Sequence, residues 1–132
     1  MKTLLFLLFA SISPLFPTTV SAQAAVALED VCRAIGNGNV RELAAVMDTE
    51  VELNILSKED LYSKAEAVAA LKAFFGEVNP SSFGKVHQGA SKSADAEYCI
   101  GTLATAKGPF TVYVYVAKRA NGVVLQELRF EK

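Results

Sequence analysis

The sequence predicts an α+β domain in which three helices cover one face of a curved antiparallel sheet. Two observations support this fold class. The first half of the chain carries apolar residues at helical spacing, whereas the last third carries short runs of β-branched and aromatic residues between turn residues. The 132 residues, 52% of them apolar, suffice for one domain, and we find no internal repeat or linker.

The C-terminal third predicts four strands. Residues 98–105 and 110–117 are rich in β-branched and aromatic side chains, and residues 83–88 and 123–131 show a similar composition. Lys107, Gly108 and Pro109 indicate a turn before the third strand. The dipeptide at residues 121–122 (NG) indicates a tight hairpin, because a type I′ turn needs positive φ at both central residues. These short connections predict a four-stranded antiparallel meander.

The first half of the chain predicts three helices and a short hairpin. The first helix stops at Gly36, and polar caps at Asn39 and Ser63 open the second helix and the main helix. Residues 51–55 alternate in polarity and pair with the short return at residues 61–62. The buried stripes are Ala24, Leu28, Val31 and Ile35 in the first helix, Leu43, Ala44 and Met47 in the second, and Ala67, Leu71, Phe74 and Val78 in the third.

The N-terminus has the pattern of a secretory signal peptide. Lys2 precedes an apolar run over residues 4–10, and residues 20–22 (VSA) have the small-residue form of a signal-peptidase site. The apolar run is too short to span a bilayer. We therefore expect residues 1–22 to be removed and residues 23–132 to form one exported domain, periplasmic or secreted, that leaves the membrane after cleavage.

Charge and composition exclude several classes of function. The net charge is −1 at pH 7, whereas proteins that bind nucleic acid or anionic membranes carry a basic surface. The chain has a single histidine, His87, and neither cysteine lies near it, so the ligand spacing of a zinc site is missing. Glycine-rich phosphate loops and nucleophile elbows are missing too. We expect no metal and no cofactor.

Several short segments resemble one protein family. These are residues 61–65 (LYSKA), 74–75 (FF), 86–91 (VHQGAS), 100–103 (IGTL) and 128–132 (LRFEK). Together they resemble the domain of unknown function 4783, a family of small exported proteins from Bacteroidota. The order of elements also resembles the nuclear transport factor 2-like, or cystatin-like, cone, in which a bent sheet wraps around a long helix. This resemblance implies a fold and an exported location but no activity.

The resemblance to the cone fold also implies an internal cavity, and it indicates which side chains would line one. Enzymes of that superfamily place an Asp or His base and a Tyr acid in the cavity, whereas other members bind a ligand or partner without catalysis. We expect Tyr62, Phe75, His87 and Gln126 to form a ligand site. Gln126 is assigned to the inner face because it alternates with Val124, Leu128 and Phe130; the alternative is that its amide bonds backbone or buried water.

The face occupied by His87 stays open. His87 is the one side chain suited to proton transfer near neutral pH if it faces the cavity. Phe83 and Lys85 share its phase in a regular strand; Phe83 favours the inner face and Lys85 the outer one. His87 or the alternative base Glu127, with a Tyr as acid, gives the hypothesis of an isomerase or dehydratase; a structural or surface histidine is the more frequent case.

Tyr113 and Tyr115 lie on the opposite side of their strand from an all-apolar row. A tyrosine-rich outer sheet face would suit pairing with a second copy of the chain, and the alternative is ordinary strand composition. Cys32 and Cys99 are an even pair in a compartment expected to be oxidising. Either they form a disulfide or each is a separate buried thiol.

Three functions follow from these observations. The first is a non-catalytic exported module that binds a small apolar molecule or a peptide in the cone cavity. The second is a structural or interaction protein that dimerises through the outer sheet face. The third is the isomerase or dehydratase based on His87.

Overall fold

The computed structural model describes residues 14, 25–93 and 95–132. The predicted signal peptide at residues 1–22 and its cleavage before Gln23 fall, Pro14 aside, outside the described residues. No helix of the described part of the chain is both long enough and apolar enough to cross a membrane.

Three helices form among the described residues, two of them at the predicted caps. The side-chain oxygen of Asn39 accepts a hydrogen bond from the N–H of Glu42 at 3.1 Å, and the hydroxyl of Ser63 accepts one from the N–H of Glu66 at 3.3 Å. Asn79 ends the main helix in the left-handed region, with φ of 51°. The helices are α1 (Leu28–Gly36), α2 (Val40–Val46) and α3 (Lys64–Val78).

In the part of the chain that the structure describes, six strands form one sheet in the order β2-β1-β6-β5-β4-β3. The strands are β1 (Met47–Ile55), β2 (Lys58–Ser63), β3 (Pro80–Ser91), β4 (Ala96–Thr105), β5 (Phe110–Arg119) and β6 (Gly122–Glu131). The predicted hairpin corresponds to β1 and β2, and the predicted meander to β3 through β6. The sheet is curved and unclosed, and three helices pack on it, so the predicted α+β class is confirmed.

The prediction of a sheet that is antiparallel throughout is wrong at one junction, where β1 and β6 pair in parallel. α3 carries the chain from β2 at one edge of the sheet to β3 at the other, and the two groups of strands therefore meet through β1 and β6. Each hairpin must be antiparallel because its turn is short. Nothing local dictates the direction in which two separate groups meet.

Two local expectations also need correction. Met47, assigned to the buried side of the second helix, instead begins β1, where its side chain is buried. The β5–β6 hairpin exists, but Arg119 pairs with Gly122 and the turn lies at Ala120 and Asn121. Neither turn residue has positive φ; Gly122, which begins β6, has φ of 119°. A Cβ on Gly122 would lie 2.8 Å from the backbone of Val26, so glycine permits this close approach as well.

Four phenylalanine rings fill the space between α3 and the sheet. The ring of Phe74 lies 4.8 Å from that of Phe130 and 5.5 Å from that of Phe110, centroid to centroid, and Phe75 meets Phe130 edge-on at 5.8 Å. These separations are those at which aromatic pairs attract. Fully buried side chains around the rings complete the core; they include Leu53, Leu71, Leu103, Leu125 and Leu128. The interior is therefore close-packed.

Truncating the ring at the centre of this cluster should destabilise the fold strongly. Phe130 is 0% exposed, and Phe130→Ala removes contacts with two other rings. We expect a loss of about 3–5 kcal/mol in the free energy of unfolding, measured by urea denaturation. The control Leu56→Ala, at a side chain 49% exposed, should change it by less than about 0.5 kcal/mol. Equal effects of the two substitutions would contradict the packing described.

Candidate functional site

Two of the four residues assigned to a ligand site belong to the core. Phe75 is 5% exposed and packs against Phe74 and Phe130. Tyr62 is half-buried and packs on the same core from β2, where it pairs with the buried Val51. Both side chains face the inner side of the sheet, as expected. They meet packed side chains there.

Gln126 does not lie in the inner row of β6, contrary to expectation. A β-bulge opposite Tyr115 and Val116 shifts the register, so that Leu125 and Leu128 are fully buried and Gln126 is only half-buried. Its Nε2 donates to the carboxylate of Asp48 at 3.2 Å. A hydrogen bond from the backbone N–H of Thr49, and to a lesser extent the one from the side chain of Gln126, hold the pKa of the Asp48 carboxyl below its usual value. The amide thus bonds the side chain of Asp48.

A second bulge settles the face of His87. The pairing of β3 with β4 shifts between Lys85 and His87, which places Lys85 opposite the buried Gly101 and His87 opposite Ile100. The two residues therefore lie on opposite faces, although they are two positions apart. The imidazole is exposed on the outer face, with Nε2 3.3 Å from the hydroxyl of Tyr98.

The four assigned residues are consequently not brought together. Tyr62 and Phe75 lie on the inner side, His87 on the outer face, and Gln126 at a bulge of β6. The imidazole of His87 and the hydroxyl of Tyr98 are within hydrogen-bond distance of each other. They lie on an open surface, however, where water is not excluded from a reaction. Within the described part of the chain, no three His, Cys, Asp or Glu side chains are grouped as a metal site would need.

The outer face instead gathers aromatic and apolar side chains from two central strands. Tyr98 pairs with Tyr115, and Ile100 pairs with Tyr113, on the side of the sheet away from the helices. Tyr113 is 36% exposed and the other three are half-buried. We call Tyr98, Ile100, Tyr113 and Tyr115 the outer patch. It lines a shallow groove of about 190 Å³ that Glu127 borders.

Sequence reasoning found only half of the outer patch. Tyr113 and Tyr115 were recognised because they alternate with the buried row of Val112, Val114 and Val116, which the structure confirms. Tyr98 and Ile100 were missed. Their alternation with Cys99 and Gly101 does indicate a face, but which face depends on the pairing with β5.

The comparisons with known proteins decide the family. The family model described as a domain of unknown function (DUF4783) matches residues 28–131. This chain belongs to the DUF4783 family. A solved DUF4783 protein from Bacteroides uniformis is 32% identical, with a TM-score of 0.73 over 80% of this chain and 95% of that chain. Among curated proteins, none matches this DUF4783 chain.

More distant structures share the fold alone. A designed nuclear transport factor 2-like protein is 11% identical, with a TM-score of 0.63 over 77% of this chain and 90% of that chain. A putative calcium/calmodulin-dependent protein kinase type II association domain from Thiobacillus denitrificans is 15% identical, with a TM-score of 0.57 over 74% of this chain and 85% of that chain. The DUF4783 protein therefore has a nuclear transport factor 2-like fold.

A cluster of charges lies beside the outer patch on the same face. The guanidinium of Arg129 has carboxylate oxygens of Glu59, Glu127 and Glu131 within 3.9 Å, 3.8 Å and 3.8 Å. Glu52 pairs directly with Glu127 across β1 and β6. Hydrogen bonding to Glu59 and the charge of Glu127 raise the pKa of Glu52. We call these five residues the acidic border.

The raised pKa of Glu52 predicts a stabilising substitution. When the pKa of a carboxyl group is higher in the folded state than in the unfolded state, the folded state binds more protons between these two pKa values. The folded state therefore loses stability as the pH rises from the unfolded-state pKa through the folded-state pKa. Glu52→Gln should therefore raise the free energy of unfolding by about 0.5 kcal/mol at pH 7 and leave it unchanged at pH 3, where the carboxyl is protonated in both states. Urea denaturation at both pH values measures this.

Glu50→Gln is the matched control, because Glu50 lies two positions away on the same face of β1 and is exposed. It should change stability little at either pH. A loss of stability in Glu52→Gln at pH 7 would contradict the crowding of carboxylates described.

Proposed function

We propose that this DUF4783 protein is an exported, non-catalytic interaction module that pairs with a second copy of itself through the outer patch. One observation carries the proposal. The cone is filled by the rings of Phe74, Phe75, Phe110 and Phe130, while an aromatic surface lies on the sheet face opposite α1, α2 and α3, which no helix of the described residues covers. Tyrosine is enriched at interfaces because its ring buries apolar area while its hydroxyl keeps a polar partner.

The layout of the outer face supports a second copy as the occupant. A two-fold axis that lies in the interface and runs along the strands places β4 of one copy over β5 of the other, so Tyr98 and Ile100 meet Tyr113 and Tyr115. The outer patch is then complementary to itself. This is the requirement for a closed dimer.

Charge on the two flanks supports the same arrangement. The same axis places β3 of one copy over β6 of the other, so that His87 lies over Arg129 and the carboxylates that surround it. The acidic border has one arginine and four glutamates and is therefore net negative, whereas β3 carries no carboxylate. A flank without carboxylates can meet the acidic border without repulsion, whereas two acidic borders cannot. The association domain among the fold relatives indicates that this fold suits an assembly role.

The alternative functions have less support. A ligand in the cone needs space that Phe74, Phe110 and Phe130 occupy. An isomerase or dehydratase needs an enclosed base, whereas His87 is exposed on the outer face.

A charge placed in the outer patch should break the pairing. Tyr113→Asp introduces a carboxylate that the dimer would bury without a partner, and we expect the dissociation constant to rise by about 30-fold or more. Analytical ultracentrifugation over a concentration series measures it. Leu56→Asp is the control, since Leu56 is also an exposed apolar residue but lies in the turn between β1 and β2.

A charge reversal then tests the orientation. His87→Glu should weaken the dimer by placing a carboxylate against the net negative acidic border, and adding Glu127→Lys should restore it by lowering that negative charge. The proposal is overturned by a wild-type chain that stays monomeric at all concentrations, by equal disruption from Leu56→Asp, or by binding of a different chain at the outer patch.

The exported location rests on the N-terminal sequence and has its own test. When the full-length chain is expressed in its native host, we expect the recovered protein to start at Gln23 and to lie in the periplasm or medium. Intact mass after cell fractionation measures both. Substituting Arg for Leu5 and Leu7 interrupts the apolar run and should retain the uncleaved chain in the cytoplasm. A full-length cytoplasmic wild-type chain would contradict export.

A further inference from the structure

The two cysteines of the chain meet in the core. Cys32 on α1 and Cys99 on β4 lie 67 positions apart in the sequence, and their Sγ atoms are 3.0 Å apart. Both side chains are buried, at 5% and 0% exposure. An approach of about 1 Å would bring the sulfurs to the bond length of ~2.05 Å found in disulfides.

The backbone around the pair is firmly placed. α1 packs against β3 and β4 through a buried face that includes Leu28, Val31 and Ile35. Cys99 lies on a strand paired on both sides, opposite Gln88 and Val114. The sulfurs therefore face each other because the fold brings their elements together, and closing the gap needs only a small side-chain adjustment.

We propose that Cys32 and Cys99 form an intramolecular disulfide that fastens α1 to the centre of the sheet. In the cell the bond requires an oxidising compartment, so its formation there rests on the proposed export. The purified protein tests the bond independently of export and of dimerisation. The bridge would link the helical layer to the middle of the meander.

An opening beside Cys32 provides access for an oxidant. A pocket of about 380 Å³ is lined by Cys32 together with Glu29, Phe83 and Lys85, whereas Cys99 lies deeper. The Cys99 thiol can donate a hydrogen bond to the sulfur of Cys32, which lowers the pKa of Cys32. Cys32 is thus the sulfur that reacts first.

The oxidant is a small or protein disulfide, and the exchange balances in two steps. The thiolate of Cys32 attacks one sulfur of the oxidant, breaks its S–S bond and releases one thiolate. The thiolate of Cys99 then attacks the Cys32 sulfur and releases the second. Two electrons pass to the oxidant, which takes up the two protons that the cysteines lose and leaves as two thiols.

The bridge should raise thermal stability. It closes a loop that contains α2, β1, β2, α3 and β3, and so it restrains the unfolded chain more than the folded one. We expect the Tm of the oxidised protein to exceed that of the reduced protein by about 10 °C.

The test compares oxidised and reduced wild-type protein, and so depends on no variant that might misfold. Purified protein is treated with oxidised or reduced glutathione, then denatured with a thiol-alkylating reagent present. After oxidation we expect an intact mass lower by two hydrogen atoms, no alkylation, and one proteolytic product that joins Cys32 to Cys99.

Matched variants complete the test. Cys32→Ala and Cys99→Ala should show no oxidant-dependent change of Tm. Alkylation of both cysteines after oxidation of the wild type, a bond between two chains instead of within one, or an oxidised protein no more stable than the reduced one would each overturn the proposal.

Discussion

The contact between α3 and the concave face of the sheet governs the rest of this structure. Phe74 and Phe75, adjacent on the helix, meet Phe110 on β5 and Phe130 on β6, and the rings are packed at attractive distances. The sheet must bend to keep both strands against the helix. A bent sheet filled on its inner side leaves the side chains of its outer side, among them Tyr98, Tyr113 and Tyr115, on the face away from α3.

Irregularities in two strands determine which polar groups reach the outer face. The bulge in β3 turns His87 outward although Phe83 and Lys85 lie on the inner side. The bulge in β6 removes Gln126 from the core and brings its amide to Asp48. Each bulge adds a residue, so the alternation of faces reverses along the strand. Without them, an amide would face the phenylalanine rings.

Much of this architecture can be predicted from the sequence, because it depends on interactions between residues that are close together in the chain. Asn39 and Ser63 cap helices, apolar stripes define their buried faces, and short turns impose antiparallel hairpins. In β5 the alternate residues Phe110, Val112, Val114 and Val116 are buried, as the period-two pattern of apolar side chains predicts. Three features depend on contacts distant in sequence and could not be predicted: the parallel pairing of β1 with β6, the two bulges, and the position of Tyr98 beside Tyr115.

Tyrosine reactivity tests the central claim most directly, because the chain has four tyrosines and three of them lie in the outer patch. Hydroxyl-radical footprinting over a concentration series reports the accessibility of each ring. Pairing through the outer patch predicts that Tyr98, Tyr113 and Tyr115 lose reactivity as concentration rises, while Tyr62 on the inner side stays constant. Reactivity of the outer three that does not change with concentration, or protection of Tyr62 instead, would contradict the account.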